Sequence, residues 1–177
     1  MSDTPVCDLV LLSWNHLEET RPCLETLFAS TGVPCRLLIV DNGSEPEVRA
    51  FLRTVTPRGH ITEVTLLQNE QNEGFPKGMN RGIQASTAPF VCLLNNDLLF
   101  TKGWLEELID VAGTHREIGV VNPSSSTLGN RPSRGQPQAA PWRLHGSGDV
   151  HRLLHTHQAG GHRSDRRLER GGGTGVL

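Results

Sequence analysis

The chain has 177 residues, enough for one domain with a sizeable core, yet only 36% of them are apolar and none is tyrosine. The net charge of −2 hides two compositions: residues 1–130 carry nine basic and sixteen acidic side chains (net −7), whereas residues 131–177 carry eight arginines and three acids (net +5). The acidic first part argues against nucleic acid as a partner, Asp8 interrupts any signal-peptide core, and no apolar run reaches membrane-spanning length.

Asp8 to Trp14, "DLVLLSW", reads as a strand. "HLEETRPCLETLFAS" follows with Leu17, Leu24, Leu27 and Phe28 near helical spacing, and Pro22 predicts a late start or a kink. "RLLIVD" is a second strand. In "SEPEVRAFLRTV", Ser44 and Glu47 have the spacing of a capping box, so a helix is expected to start on Ser44. "ITEVTLLQN" is a third strand, and "PKGMNRGIQAS" a helix weakened by two glycines. "FVCLLNND" is the fourth strand. "GWLEELIDVAGTH" places Trp104, Leu105, Leu108, Ile109 and Ala112 on one helical face, and "IGVVNP" is a short fifth strand. Strands and helices alternate throughout, and the strands are continuously apolar. That is the pattern of an α/β domain with a mostly parallel sheet and helices on both faces.

The four cysteines, Cys7, Cys23, Cys35 and Cys92, form no CxxC pair and read as small buried hydrophobes rather than zinc ligands. After Pro123 the pattern dissolves into Ser, Gly, Pro, His and Arg. The brief "DVHRLLH" is the one periodic stretch there, and a largely disordered tail is expected.

Each of the first four strands ends in polar residues. They are Ser13, Trp14 and Asn15; Asp41, Asn42, Gly43 and Ser44; Gln68 and Asn69, leading into "EQNEGF"; and Asn95, Asn96 and Asp97. Taken singly, these are ordinary turn or cap residues. In a parallel sheet all four endings reach one edge, which is where ligands bind. One carboxylate among amide oxygens suits Mg²⁺ or Mn²⁺ held jointly with substrate phosphates. There is no Walker A lysine motif and no GxGxxG after the first strand.

Four motifs in order, "LLSWN", "LLIVDNGS", "NEQNEGFPKGMNRGI" and "LLNNDLLF…GWLEELI", with "VVNPSSSTLGN" after them, resemble the N-terminal half of family 2 glycosyltransferases, of GT-A (Rossmann-like) fold and rhamnosyltransferase-like character. The resemblance spans Val6 to Asn130 and implies a nucleotide-sugar-binding domain over residues 1–130. It implies that Trp14 and Asn15 line a base pocket, that Asp41 hydrogen-bonds the base, and that Asn42 and Ser44 shape the turn. Asn72, Gly74, Phe75 and Asn80 would wall the nucleotide. Asn95, Asn96 and Asp97 stand where the family has a DxD-type motif, with Asn96 towards the ribose and Asp97 on the metal. The implied reaction is metal-assisted transfer of a sugar from a nucleoside diphosphate to an acceptor hydroxyl, with inversion. The implied acceptor is a saccharide or lipid-linked, in polysaccharide biosynthesis. A cytoplasmic chain is expected, peripheral at the inner membrane at most.

The family's downstream general base has no match. Asp149, Asp165 and Glu169 are the tail's acids, and none stands in a family-like context. Two readings of residues 131–177 follow: a truncation or shift of reading frame near Gln136, or a divergent basic tail. The missing base also keeps open a non-catalytic nucleotide-sugar binding module.

Overall fold

A computed structural model describes residues 4–114, 117–122 and 152–156. In chain order the elements are β1 (Cys7–Ser13), α1 (Leu17–Ser30), β2 (Cys35–Asp41), α2 (Pro46–Leu52), β3 (Ile61–Gln68), α3 (Phe75–Gln84), β4 (Phe90–Asn95), α4 (Trp104–Thr114), β5 (Val120–Val121) and β6 (Arg152–Thr156). The sheet order is β3-β2-β1-β4-β6-β5, and every neighbouring pair is parallel. The expected α/β architecture is therefore present.

Alternating strand residues divide between two layers. Cys7, Leu9 and Leu11 of β1, with Leu37 and Ile39 of β2, pack against Cys23, Leu24 and Leu27 of α1, Val48 and Leu52 of α2, and Leu105 and Leu108 of α4. Val10, Leu12, Leu38 and Val40 face Met79 of α3 on the other side. Full burial of each such leucine or isoleucine is worth about 1.5–3 kcal/mol against exposure. The four cysteines are free and buried. Burial pushes the Cys23 and Cys35 thiols up to about 12 and raises those of Cys7 and Cys92 well above the ordinary value.

Four details depart from the sequence reading. First, α1 begins at Leu17 and runs through Pro22, forgoing one backbone bond rather than starting late. Second, α2 starts one residue beyond Glu45 with no side-chain cap, because the Ser44 hydroxyl is used elsewhere. Third, the two glycines of α3 serve packing. A Cβ at Gly78 would lie 2.5 Å from Leu12 Cδ1, and one at Gly82 would lie 2.2 Å from Val10 Cγ1, so both let the helix approach the sheet. Fourth, the tail, expected to be largely disordered, contributes one short strand, β6, which lies between β4 and β5. The apolar pair Leu153–Leu154 of "DVHRLLH" falls in this strand, in register with Val91 and Cys92. The rest of the tail lies outside the described residues.

At the N-terminal edge, Asp8 is fully buried. Its carboxylate accepts Arg36 Nε at 3.0 Å and Nη2 at 2.7 Å, and the backbone N–H groups of Thr87 and Ala88. The hydrogen bonds to Asp8 raise the Arg36 guanidinium further above its ordinary value. This cluster ties β4's entry to β1 and β2.

Candidate functional site

Burying polar side chains is costly unless they are paired, so where they gather is informative. Asp8, Ser13, Thr20, Thr31, Asp41, Asn42, Ser44, Asn69 and Ser86 are buried, and all but Asp8, Thr31 and Ser86 cluster around the strands' C-terminal ends. Strands β2 and β3 extend to one side of β1, and β4 lies on the other. The chain therefore reverses direction across the sheet between β1 and β4, the place where open α/β sheets bind ligands.

The loop after β1 is held in an unusual shape. Asn15 (φ 56°) and His16 (φ 52°) are both left-handed, which costs on the order of 1 kcal/mol each. Asn15 is clamped to the next loop at both ends. Its N–H donates to Ser44 Oγ at 3.0 Å, and its Oδ1 accepts the Glu45 N–H at 2.8 Å. Trp14, beside it, is 47% exposed. His16 Nδ1 lies 3.3 Å from Glu19 Oε2 and 3.7 Å from Glu18 Oε1, pairs that attract when the imidazole is protonated.

Asp41 sits in register with Ser13 and Gln68 and is fully buried. Its Oδ1 accepts the Ser44 N–H at 2.9 Å. Its Oδ2 accepts Gln68 Nε2 at 3.1 Å and lies 3.6 Å from Arg49 Nε. Both carboxylate oxygens are thus engaged within the protein.

Asn42 is a hub rather than a simple turn residue. It is 2% exposed. Its Nδ2 donates to Asn72 Oδ1 at 2.9 Å and towards Gly74 O at 3.4 Å, while its Oδ1 accepts Asn69 Nδ2 at 2.8 Å and the Glu73 N–H at 3.1 Å. Arg49 donates to the carbonyls of Asn69 and Glu70, and Arg81 to Gln68 O and Asn69 Oδ1. Gly43, at φ 80°, leaves room for this loop, since a Cβ there would lie 2.4 Å from the Gln71 carbonyl carbon. Asn72 Oδ1 also accepts the Gly74 N–H, and the loop delivers Phe75, 47% exposed, to the start of α3. Asn80 is exposed on the same helix.

β4 ends at Asn95, and Asn96 and Asp97 form the turn beyond it. The polar triplet therefore sits at the strand's rim, not in its buried middle. Asn96 Nδ2 donates to Thr20 Oγ1 at 2.8 Å, and among the described residues its Oδ1 has no hydrogen-bond partner. Asp97 is exposed, and among the described residues its carboxylate has no hydrogen-bond partner. One open carboxylate with amide oxygens beside it fits a hard divalent cation that takes its other ligands from phosphate and water.

The structure thus brings Trp14, Asn15, Asp41, Asn42, Ser44, Asn72, Gly74, Phe75, Asn95, Asn96 and Asp97 to one rim. Sequence reasoning gave no role to Thr20, Arg49 or Arg81. All three act through side-chain-to-loop hydrogen bonds, which leave no periodic signal. A separate cleft of about 320 Å³, lined by Arg21, Leu24, Phe51 and Arg58 among others, lies on the flank between α1 and the α2–β3 connection.

The family model for Glycosyl transferase family 2 matches residues 8–166, nearly the whole chain. The chain belongs to glycosyl transferase family 2. The match extends past Gln136 and takes in β6.

Among proteins it resembles, a glucosyl-dolichyl phosphate glucuronosyltransferase of Haloferax volcanii is 30% identical over 105 residues, covering 59% of this chain and 32% of the relative. The succinoglycan biosynthesis protein ExoM of Rhizobium meliloti is 25% identical over 139 residues, covering 78% of this chain and 41% of the relative. The crystal structure of S. aureus TarS 1-349 superposes with a TM-score of 0.57 at 17% identity, covering 75% of this chain and 38% of that one. Its complex with UDP gives a TM-score of 0.55 at 18% identity. The chain thus spans about a third to two-fifths of the length of the proteins it matches. Among the described residues, no helix is long and apolar enough to cross a membrane.

Proposed function

We propose that this family 2 domain binds the nucleoside diphosphate of an activated sugar across the rim between β1 and β4, and serves transfer of that sugar to an acceptor hydroxyl. The observation that carries the reading is the Asn96–Asp97 turn. It faces the clamped Trp14–His16 loop across the point where the strand order reverses. A neighbour of the same fold has been solved with UDP, which supports a nucleoside diphosphate as the ligand class.

In this reading Trp14 offers an exposed aromatic face to the base. Asp41 receives a base N–H once the Gln68 amide swings away from it. The hub at Asn42 keeps the Asn72–Phe75 wall in place over the nucleotide. Asp97, with Asn95 and Asn96 nearby, would hold Mg²⁺ or Mn²⁺. Such an ion, when bound with the diphosphate, offsets the charge gathering on the leaving group. The acceptor oxygen bonds to the anomeric carbon as the bond from that carbon to the diphosphate oxygen breaks, the electron pair leaving with the diphosphate. The acceptor's proton passes to a general base. That base has no match in the sequence, and the tail's acids, Asp149, Asp165 and Glu169, lie outside the described residues.

A thermal-shift panel of UDP, dTDP and GDP and their sugars, with and without Mn²⁺, tests the proposal. A ligand that binds only the folded chain raises its melting temperature. At least one nucleotide should do so, and more strongly with Mn²⁺. No shift with any of them would overturn the reading.

A further inference from the structure

Thr20 sits on the buried face of α1, and its hydroxyl joins the two loops that flank the site. It donates to His16 O at 2.9 Å, within the left-handed loop after β1, and accepts Asn96 Nδ2 at 2.8 Å, within the turn after β4. A hydroxyl carries one proton, so donation to His16 O turns its lone pairs towards Asn96. Three residues on, and on the same side of the helix, Cys23 Sγ lies 3.6 Å from Asn95 O. α1 thus holds the end of β4 by its main chain through Cys23, and by its side chain through Thr20. Asp97 directly follows Asn96 in the same turn.

We propose that Thr20 is a positioning residue for the diphosphate–metal end of the site, setting the separation of the two loops and the aim of the Asn96–Asp97 turn. This rests on Asp97 being the metal-binding carboxylate. Loss of the hydroxyl leaves His16 O with the Glu19 and Thr20 N–H groups, so α1 keeps its start. Asn96, only half buried, then turns to water and the Asp97 turn loses its fixed place.

Valine at this position keeps the volume and removes the hydroxyl, whereas serine keeps the hydroxyl and removes a methyl. A packing role would favour valine, and a hydrogen-bonding role favours serine. The probe is Mn²⁺ with inorganic pyrophosphate, titrated calorimetrically into the full chain, so that the identity of the base does not enter. Thr20→Val and Thr20→Ala should bind at least about fivefold more weakly, the factor carried by one lost hydrogen bond, while Thr20→Ser binds like the parent. The alanine variant keeps the test open if valine fails to fold. Asp97→Ala is run alongside. If it loses binding while Thr20→Val does not, or if Thr20→Ser falls as far as Thr20→Val, the positioning role is wrong. If Asp97→Ala binds normally, or the parent binds no Mn²⁺–pyrophosphate, the metal reading fails and the role of Thr20 fails with it.

Discussion

Asn42→Ala is the substitution that separates a surface turn from a buried hub. Three well-formed hydrogen bonds disappear: to Asn72 Oδ1 at 2.9 Å, from Asn69 Nδ2 at 2.8 Å and from the Glu73 N–H at 3.1 Å. The three partners fare differently. Asn72 and Glu73 are exposed and recover a bond from water, whereas Asn69 is buried and its Nδ2 donor is left unpaired, its Oδ1 staying on Arg81. At roughly 1 kcal/mol for each lost bond and about 1–3 kcal/mol for an orphaned buried donor, less what water returns, the loss comes to about 2–4 kcal/mol. Urea unfolding followed by circular dichroism measures it. With a slope of about 2 kcal/mol per molar, the midpoint should fall by roughly 1–2 M at unchanged slope. Nucleotide binding should weaken as well, since Phe75 and its loop lose their anchor. A loss within about 0.5 kcal/mol, the scale of an ordinary surface change, would refute the hub.

Gly82→Ala sets helix propensity, which favours alanine by about 0.8–1 kcal/mol, against overpacking, which costs about 1–3 kcal/mol. With Val10 Cγ1 at 2.2 Å and Val40 Cγ2 at 3.2 Å from the new Cβ, overpacking should win, and a raised melting temperature would contradict that. Asp97→Ala should weaken Mn²⁺-dependent nucleoside diphosphate binding about tenfold or more, yet leave stability and metal-free nucleoside binding unchanged in calorimetry. Asp41→Ala should instead weaken nucleoside binding without metal, by roughly 1.5–3 kcal/mol; a purely metal-dependent loss would show that the two carboxylates have been exchanged. The thiols make stability fall at high pH. Their folded values are raised, so unfolding releases protons above the ordinary value of 9.0, and stability present below that pH is lost as pH climbs towards about 12 for Cys23 and Cys35. Urea midpoints that do not move between pH 8 and pH 10.5 would contradict this. Deleting residues 131–177 removes β6 from between β4 and β5 and should lower the melting temperature; an unchanged value would mean that β6 adds nothing to the sheet.

The alternation of strands and helices was legible because strands buried on both faces are continuously apolar, as in "RLLIV" and "FVCLL". The polar strand endings were legible for the complementary reason: in parallel strands they all reach one edge. Strand order was not, because no local pattern says which strand lies beside β1. β6 escaped because five residues amid polar sequence carry little periodicity. Ser44 was misread because a serine with a glutamate three residues on suits a capping box as well as a loop clamp, and only the position of Asn15, far away in sequence, decides between them. Thr20 was invisible for the same kind of reason. A threonine in an amphipathic helix looks like a tolerated core residue until the turn from β4 is placed against it.

In the proposed site the Asn96–Asp97 turn holds the metal end of a nucleoside diphosphate. A crystal grown with Mn²⁺ and the nucleoside diphosphate that gives the largest thermal shift, with data collected at the manganese edge, tests it most directly. One anomalous peak is expected, coordinated by the Asp97 carboxylate and by the diphosphate, with the base lying towards Trp14 and Asp41. A peak at His16, Glu18 and Glu19 instead, whose ligand atoms lie within 4.8 Å of one another, or a nucleotide bound away from the β1–β4 rim, would contradict it.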